Sequence, residues 1–189
     1  MSLRLSGGRR LHSPPGDIAR PTPSRVRLAV MNMLAAELAG SRWLDLFCGS
    51  GVMGCEALQR GADAVVAVDQ HRAMAATAKA NLELVATGQS TKPVVQVITQ
   101  EVVRWLEQGR PEAMEAFNLI YADPPYAAGL YGGVAKAVAE GGWLSKEGLL
   151  LLECSSGDAA SLERLQAPPW RVFKHKRYGS SSVLVLEAD

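Results

Sequence analysis

The stretch Asp45-Leu46-Phe47-Cys48-Gly49-Ser50-Gly51-Val52-Met53-Gly54 constrains this chain more than any other part of it. It leaves an apolar run, Trp43 to Phe47, that reads as a buried strand. It then enters a helical pattern, Gly51 to Arg60, which Gly61 closes in the place of a C-terminal cap. Glycines are needed in such a turn because the chain reverses sharply from strand to helix while its backbone passes close to a ligand. The next apolar run, Ala64 to Val68, ends in Asp69, fifteen residues after Gly54. Strand, glycine loop, helix, strand and terminal acid together point to a Rossmann-like nucleotide site.

The same alternation continues. Gln70 to Val85 is an Ala-rich helix, and Val94 to Ile98 and Phe117 to Tyr121 are strands with a short helix, Val102 to Gln108, between them. A helix near Gly132 to Glu140 and a strand at Leu149 to Glu153 follow. The chain closes with two strands, Trp170 to Lys176 and Ser182 to Glu187, joined at Tyr178-Gly179. Strands alternating with helices predict an α/β fold with a mostly parallel seven-stranded sheet. The last two strands have no helix between them and form an antiparallel edge hairpin. Ahead of the sheet lie a proline-rich basic arm and a helix over 24–38 with Ser24 as N-cap, so the expected division is 1–38 for arm and helix and 39–189 for the α/β domain. Pro14, Pro15, Pro21 and Pro23 forbid a long amphipathic helix in that arm, which reads as working protein and not as a transit peptide.

The formal net charge of +1 conceals an uneven distribution. Residues 1–30 carry six arginines against one acid, +5; residues 164–189 carry five cations against two acids, +3; the rest carries nine cations against sixteen acids, −7. Basic ends on a chain with an acidic middle point to an anionic partner, nucleic acid before membrane. Apolar runs such as Gly148 to Leu152 fall short of the ~18 residues a spanning helix needs, which implies a soluble, cytoplasmic protein without a membrane partner. Cys48, Cys55 and Cys154 are odd in number and form no C-x-x-C pair, and His12, His71 and His175 are scattered, so neither a disulfide framework nor a metal site is expected.

A glycine loop of this kind serves either a dinucleotide or S-adenosylmethionine. Asp45 favours the second, because a carboxylate beside the loop attracts the ammonium group of a methionine moiety and repels a pyrophosphate. The strand at Phe117 to Tyr121 also runs into Asp123-Pro124-Pro125-Tyr126, which has no place in hydride transfer. An exocyclic amine on a base is a poor nucleophile, its lone pair being delocalised into the ring. A carboxylate at Asp123 and the carbonyl of Pro124 can each accept one of its N–H groups and orient the nitrogen, while Tyr126 offers a face for stacking. The rival readings are adenine-N6 methylation of DNA, which the same tetrapeptide serves, a non-catalytic nucleic-acid-binding module, and nicotinamide-dependent reduction.

D-x-F-x-G-x-G at 45–51, the acid at Asp69 and D-P-P-Y at 123–126 resemble class I S-adenosylmethionine-dependent methyltransferases that act on exocyclic amines of bases. Arg20-Pro21-Thr22-Pro23-Ser24-Arg25-Val26-Arg27, followed by Met31-Asn32-Met33-Leu34, is similar to the R-P-T-x-x-R-V-R…F-N-x-L signature of the RsmD family. Gly7-Gly8-Arg9-Arg10-Leu11 resembles that family's amino-terminal strand and turn, and Tyr178-Gly179 its closing motif. Met31 stands where the family usually has Phe, Glu101 where it has Asp, and Arg177 where Lys is common.

The resemblance implies methylation of guanine N2 at one nucleotide of 16S ribosomal RNA by a monomer, within an assembled 30S subunit rather than on free RNA. It assigns Asp45, Phe47, Gly49, Ser50, Gly51, Asp69, Gln70, Glu101 and Val102 to S-adenosylmethionine and its product S-adenosylhomocysteine, with no metal. Asp123, Pro124 and Tyr126 fall to the guanine, and Arg9, Arg10, Arg20, Thr22, Arg25, Arg27 and Asn32 to RNA or to ordering the arm.

Overall fold

A computed structural model describes residues 3–14, 23–125, 129–159 and 169–188. The chain clusters into two compact units, Met1–Gln100 and Glu101–Asp189. The seven strands among the described residues make a mixed sheet, mostly parallel with an antiparallel pair at one edge, the α/β architecture expected from the alternating pattern.

The first unit contains α1 (Ser24–Met33), β1 (Arg42–Leu46), α2 (Val52–Gln59), β2 (Ala64–Asp69), α3 (Arg72–Thr87) and β3 (Val94–Thr99). Its strands run parallel in the order β3-β2-β1, with Leu44 opposite Val66 and Val66 opposite Gln96. Every residue of β2 is buried, which is why it reads as a continuous apolar run without alternation. Leu58 of α2 and Met74, Ala78 and Leu82 of α3 are buried with the strands. Gly61, at φ +92, takes the left-handed conformation that ends α2, as its position in the sequence predicts. The amino-terminal segment turns at Gly7-Gly8 so that Arg4 bridges Arg10 in antiparallel fashion, with Leu5 and Leu11 buried.

Helix α1 departs from expectation at both ends. Its N-cap is Pro23, not Ser24, and it stops at Met33 instead of continuing to residue 38. The apolar spacing misleads here, because Leu34 and Leu38 are buried from a run of turns that continues the i to i+4 rhythm without the helix.

The second unit contains α4 (Val102–Leu106), β4 (Phe117–Ala122), α5 (Leu130–Glu140), β5 (Leu144–Ser155), β6 (Trp170–Tyr178) and β7 (Ser181–Ala188). The order is β4-β5-β7-β6, with β4 and β5 parallel and the other two pairings antiparallel. β5 begins five residues earlier than the apolar run that marks it, across a register irregularity between Phe117 and Leu119 of β4. Trp143 anchors the core of this unit: it packs against Trp105 at 4.2 Å between ring centroids and donates its indole N–H to the Leu106 carbonyl at 2.9 Å. Among the described residues no helix is long and apolar enough to cross a membrane.

Candidate functional site

The glycine loop of the first unit is a run of unusual backbone. Phe47, Gly49 and Gly51 have φ of +57, +53 and +73. For phenylalanine this conformation is strained, and strain of this kind is kept where a site needs it. The glycines answer to different demands. A Cβ on Gly51 would stand 3.0 Å from the Cβ of Ala78 in α3, and one on Gly54 would stand 2.8 Å from Val65 Cγ1, so both permit close packing of α2. A Cβ on Gly49 would meet nothing within 4 Å, so its backbone is open on the side a ligand would approach.

Two buried carboxylates hold the loop. Asp45, 2 % exposed, accepts the Gly54 N–H at 3.0 Å. Asp69, 7 % exposed, accepts the Gly49 N–H at 2.9 Å on one oxygen and the His71 N–H at 2.8 Å on the other. An ionised carboxylate offers about four lone-pair sites, so Asp69 retains acceptor capacity while fixed in orientation. Both acids act on one spot: the Cys48 thiol is pushed well above its ordinary value, first by burial and then by the charges of Asp45 and Asp69. Cys48 is a neutral, buried group on which the charges of both carboxylates act.

A residue missed by sequence reasoning ties this loop to the amino-terminal segment. Asn81 of α3, fully buried, accepts the His12 N–H at 2.7 Å and donates to the carbonyls of His12 and Ser50, each at 3.0 Å. The one available signal was an amide among the alanines and leucines of a buried helix face. Among the other residues expected at the cofactor, Ser50 and Val102 are buried and Gln70 is exposed. Glu101 is exposed, and both of its carboxylate oxygens cap α4, accepting from the N–H groups of Val103 at 3.0 Å and Arg104 at 2.7 Å.

The basic residues separate. Arg20 and Thr22 lie outside the described residues; Arg9, Arg10, Arg25 and Asn32 are exposed, and Arg9 reaches the Val85 carbonyl at 3.5 Å at the end of α3. Arg27 does not belong with them. It is 5 % exposed, donates to the Arg4 carbonyl at 2.7 Å and pairs with the fully buried Glu56 at 3.6 Å, so of the two roles expected for it, RNA contact or ordering of the arm, its guanidinium makes contacts of the second kind.

In the second unit, β4 delivers Asp123 half-buried and Pro124 buried just beyond its carboxyl end; Tyr126 lies outside the described residues. The next strand holds a buried acid. Glu153, 2 % exposed, accepts the hydroxyl of Tyr121 on its carboxylate, while its backbone carbonyl accepts that of Tyr131 at 3.1 Å. Cys154 is fully buried and its thiol is pushed up to about 12 by burial, then by Asp158, Glu153 and Asp123.

Burial raises the Glu153 carboxyl above its usual range, against the opposing effect of the Tyr121 hydrogen bond. The folded state therefore holds this proton more tightly than the unfolded chain. Its stability contribution is complete below the ordinary glutamate value of about 4.3 and declines as pH climbs through the higher folded value. Glu153→Gln, neutral at every pH, is expected to match the parent near pH ~4 and to gain on it steadily toward pH ~7 in urea unfolding. A gap that stays constant across that range would mean that the Glu153 carboxyl titrates alike in the folded and unfolded chain, and that burial does not shift it.

The comparisons with known proteins agree with this layout. A family profile described as conserved hypothetical protein 95 matches residues 5–187. Ribosomal RNA small subunit methyltransferase D of Escherichia coli K12 is 32 % identical over 156 residues, covering 80 % of this chain and 74 % of that protein. Among solved structures, the Escherichia coli yhhF protein superposes with a TM-score of 0.78 at 27 % identity over the whole of both chains. SMU.776, solved in complex with S-adenosylhomocysteine, shares only the fold, at 17 % identity and a TM-score of 0.69 over 87 % of this chain and 49 % of its own. On the extent of these matches, the chain belongs to the conserved hypothetical protein 95 family, the RsmD family of methyltransferases.

Proposed function

We propose that this protein transfers the methyl group of S-adenosylmethionine to the exocyclic N2 of a guanine in 16S ribosomal RNA, with the assembled small subunit as the favoured substrate. The observation that carries the reading is the pair of buried carboxylates, Asp45 and Asp69, acting together on one glycine loop. Their joint negative potential suits a cationic donor and disfavours a dinucleotide pyrophosphate. Gly49, with open space at its Cβ position and its amide fixed by Asp69, lets such a ligand lie against the backbone. The ribosomal RNA of the small subunit enters from the name of the methyltransferase D relative.

When bound, S-adenosylmethionine supplies a methyl group on a sulfonium centre, a strong electrophile with a neutral thioether as its leaving group. The chain supplies binding, orientation and electrostatics. Asp69, locked by two amides, receives the ribose hydroxyls, and Asp45 faces the ammonium end. Asp123 and the Pro124 carbonyl accept the two N–H groups of the guanine amine and draw its lone pair out of the ring. Pro124 and Pro125, with fixed φ, keep that carbonyl rigid. As positive charge develops on nitrogen, the Asp123 carboxylate stabilises it, and the proton leaves to Asp123 or to water.

The test offers S-adenosylmethionine labelled in its methyl group with naked 16S RNA, unmodified 30S particles and duplex DNA, followed by mapping of the labelled base. The expected result is one labelled guanine, methylated at N2, in the 30S particle. Label on adenine N6 in DNA alone would replace the reading.

A further inference from the structure

The basic carboxyl-terminal strands have no part in the chemistry above, and β6 is the edge strand of its unit. It carries Arg171, Lys174, His175, Lys176 and Arg177 and no acid. The only acid on its neighbour β7 is Glu187, paired to Arg171 at 2.7 Å, so the two strands together carry four cations against one acid, +3. Cations on an edge strand have an ordinary purpose, which is to discourage pairing with another sheet. That purpose does not account for Phe173. The pairing steps from Val172 opposite Leu186 to Lys174 opposite Val185, so Phe173 is the extra residue of a bulge. The bulge turns it outward, leaving it 54 % exposed with the Lys174 ammonium 5.5 Å from its ring centroid. An exposed aromatic would invite the association that the cations prevent, yet aromatic and cations together form the platform on which proteins hold single-stranded nucleic acid.

We infer that β6 is a second RNA-docking edge, on which Phe173 stacks an unpaired base while Lys174, Lys176 and Arg177 contact the flanking phosphates. This rests on the reading of the substrate as RNA. A polyanion without bases would use the cations alone, which separates RNA from an acidic protein partner. An edge so charged accepts RNA by its backbone and stacks any base, so it contributes affinity and orientation while Asp123 and Pro124 face the target guanine.

The experiment compares the full-length protein with Phe173→Ala and with Lys174→Ala/Lys176→Ala/Arg177→Ala. Binding of a labelled unstructured RNA of about 12 nucleotides and of heparin is followed by anisotropy across a salt series, and thermal melting verifies folding. Phe173→Ala is expected to weaken RNA binding by about 5- to 100-fold, leaving heparin binding and the salt slope unchanged. The triple variant is expected to weaken both ligands and to flatten the RNA salt slope by about two. Both variants should raise KM for the 30S particle in methyl transfer at unchanged kcat. RNA binding by Phe173→Ala at the parental affinity would overturn the inference, as would parental KM in both variants. If the parent protein labels no RNA or 30S particle while Phe173→Ala still loses RNA affinity, the proposed reaction falls and the docking edge stands.

Discussion

Asp123→Ala is expected to lower the rate of methyl transfer by about a thousandfold or more while leaving affinity for S-adenosylhomocysteine essentially as it was. The reason lies in what Asp123 touches. The loop residues proposed to hold the donor, Asp45, Gly49 and Asp69, belong to the first unit. Asp123 stands beyond β4 in the second, half-buried and near enough to Cys154 for its charge to raise that thiol. In the proposed reaction its carboxylate acts on the amine, with its largest effect when positive charge develops on nitrogen. Removing it therefore costs the transition state more than either ground state. Asp123→Asn separates the two contributions, because the amide oxygen still accepts one N–H but carries no charge, so an intermediate loss is expected. Calorimetry with S-adenosylhomocysteine and single-turnover labelling of 30S particles read the two quantities independently. An alanine variant that retains most of its turnover would remove Asp123 from the chemistry and leave it a turn-forming residue beside Pro124.

What the sequence reveals and what it hides divide along a physical line. The strand ends at Leu46, Asp69 and Ala122 follow from apolar runs stopped by glycine, acid or proline, all local signals, and these three strands lie within a residue or two of their expected places. The pairing of distant side chains has no such signal. Arg27 sits in a stretch of arginines that reads uniformly as basic surface, and only the arrival of Glu56, twenty-nine residues later, turns it inward. Tyr121 and Glu153 meet because adjacent strands bring them together, and neither residue has a neighbour in sequence that foretells the contact. Glu101 shows the opposite case. A carboxylate immediately before Val102-Val103-Arg104 is a local capping signal, and Glu101 caps α4 with both oxygens, a role that its expected place at the cofactor does not foretell. The charge count is sharpened in the same way: of the six arginines in residues 1–30, Arg27 is buried against Glu56, so neutralising it would disturb the fold as well, and Arg20 and Arg25 give the cleaner test of RNA affinity.

Glu56→Ala should destabilise the protein by about 3–5 kcal/mol. Glu56 is fully buried in α2 and is the common acceptor for three segments. It takes the N–H and the hydroxyl of Ser6, each at 2.9 Å, the Arg60 guanidinium at 2.9 Å, and the charge of Arg27 at 3.6 Å. Alanine takes from the buried Arg27 the carboxylate 3.6 Å away and strips Ser6 of its acceptor, and losing one side of a buried polar cluster is costly. At about 2–4 °C per kcal/mol for a chain of this size, the midpoint of thermal unfolding should fall by roughly 6–20 °C. Glu56→Gln keeps an acceptor for Ser6 and should lose less. Arg27→Met removes one cation of the cluster while Arg60 still neutralises Glu56, so it too should fall short of the alanine loss. Arg25→Ala, at an exposed site on the same helix, should melt within about 1 °C of the parent. If Glu56→Ala also melted there, the cluster would contribute nothing to holding Ser6 and α1 against α2. A large loss confined to Glu56→Ala would identify this buried cluster as what fixes the amino-terminal segment, the same segment that Asn81 ties to Ser50 of the glycine loop through His12. Affinity for S-adenosylhomocysteine should then fall with it, measured well below the lowered melting point, because the loop loses one side of its support.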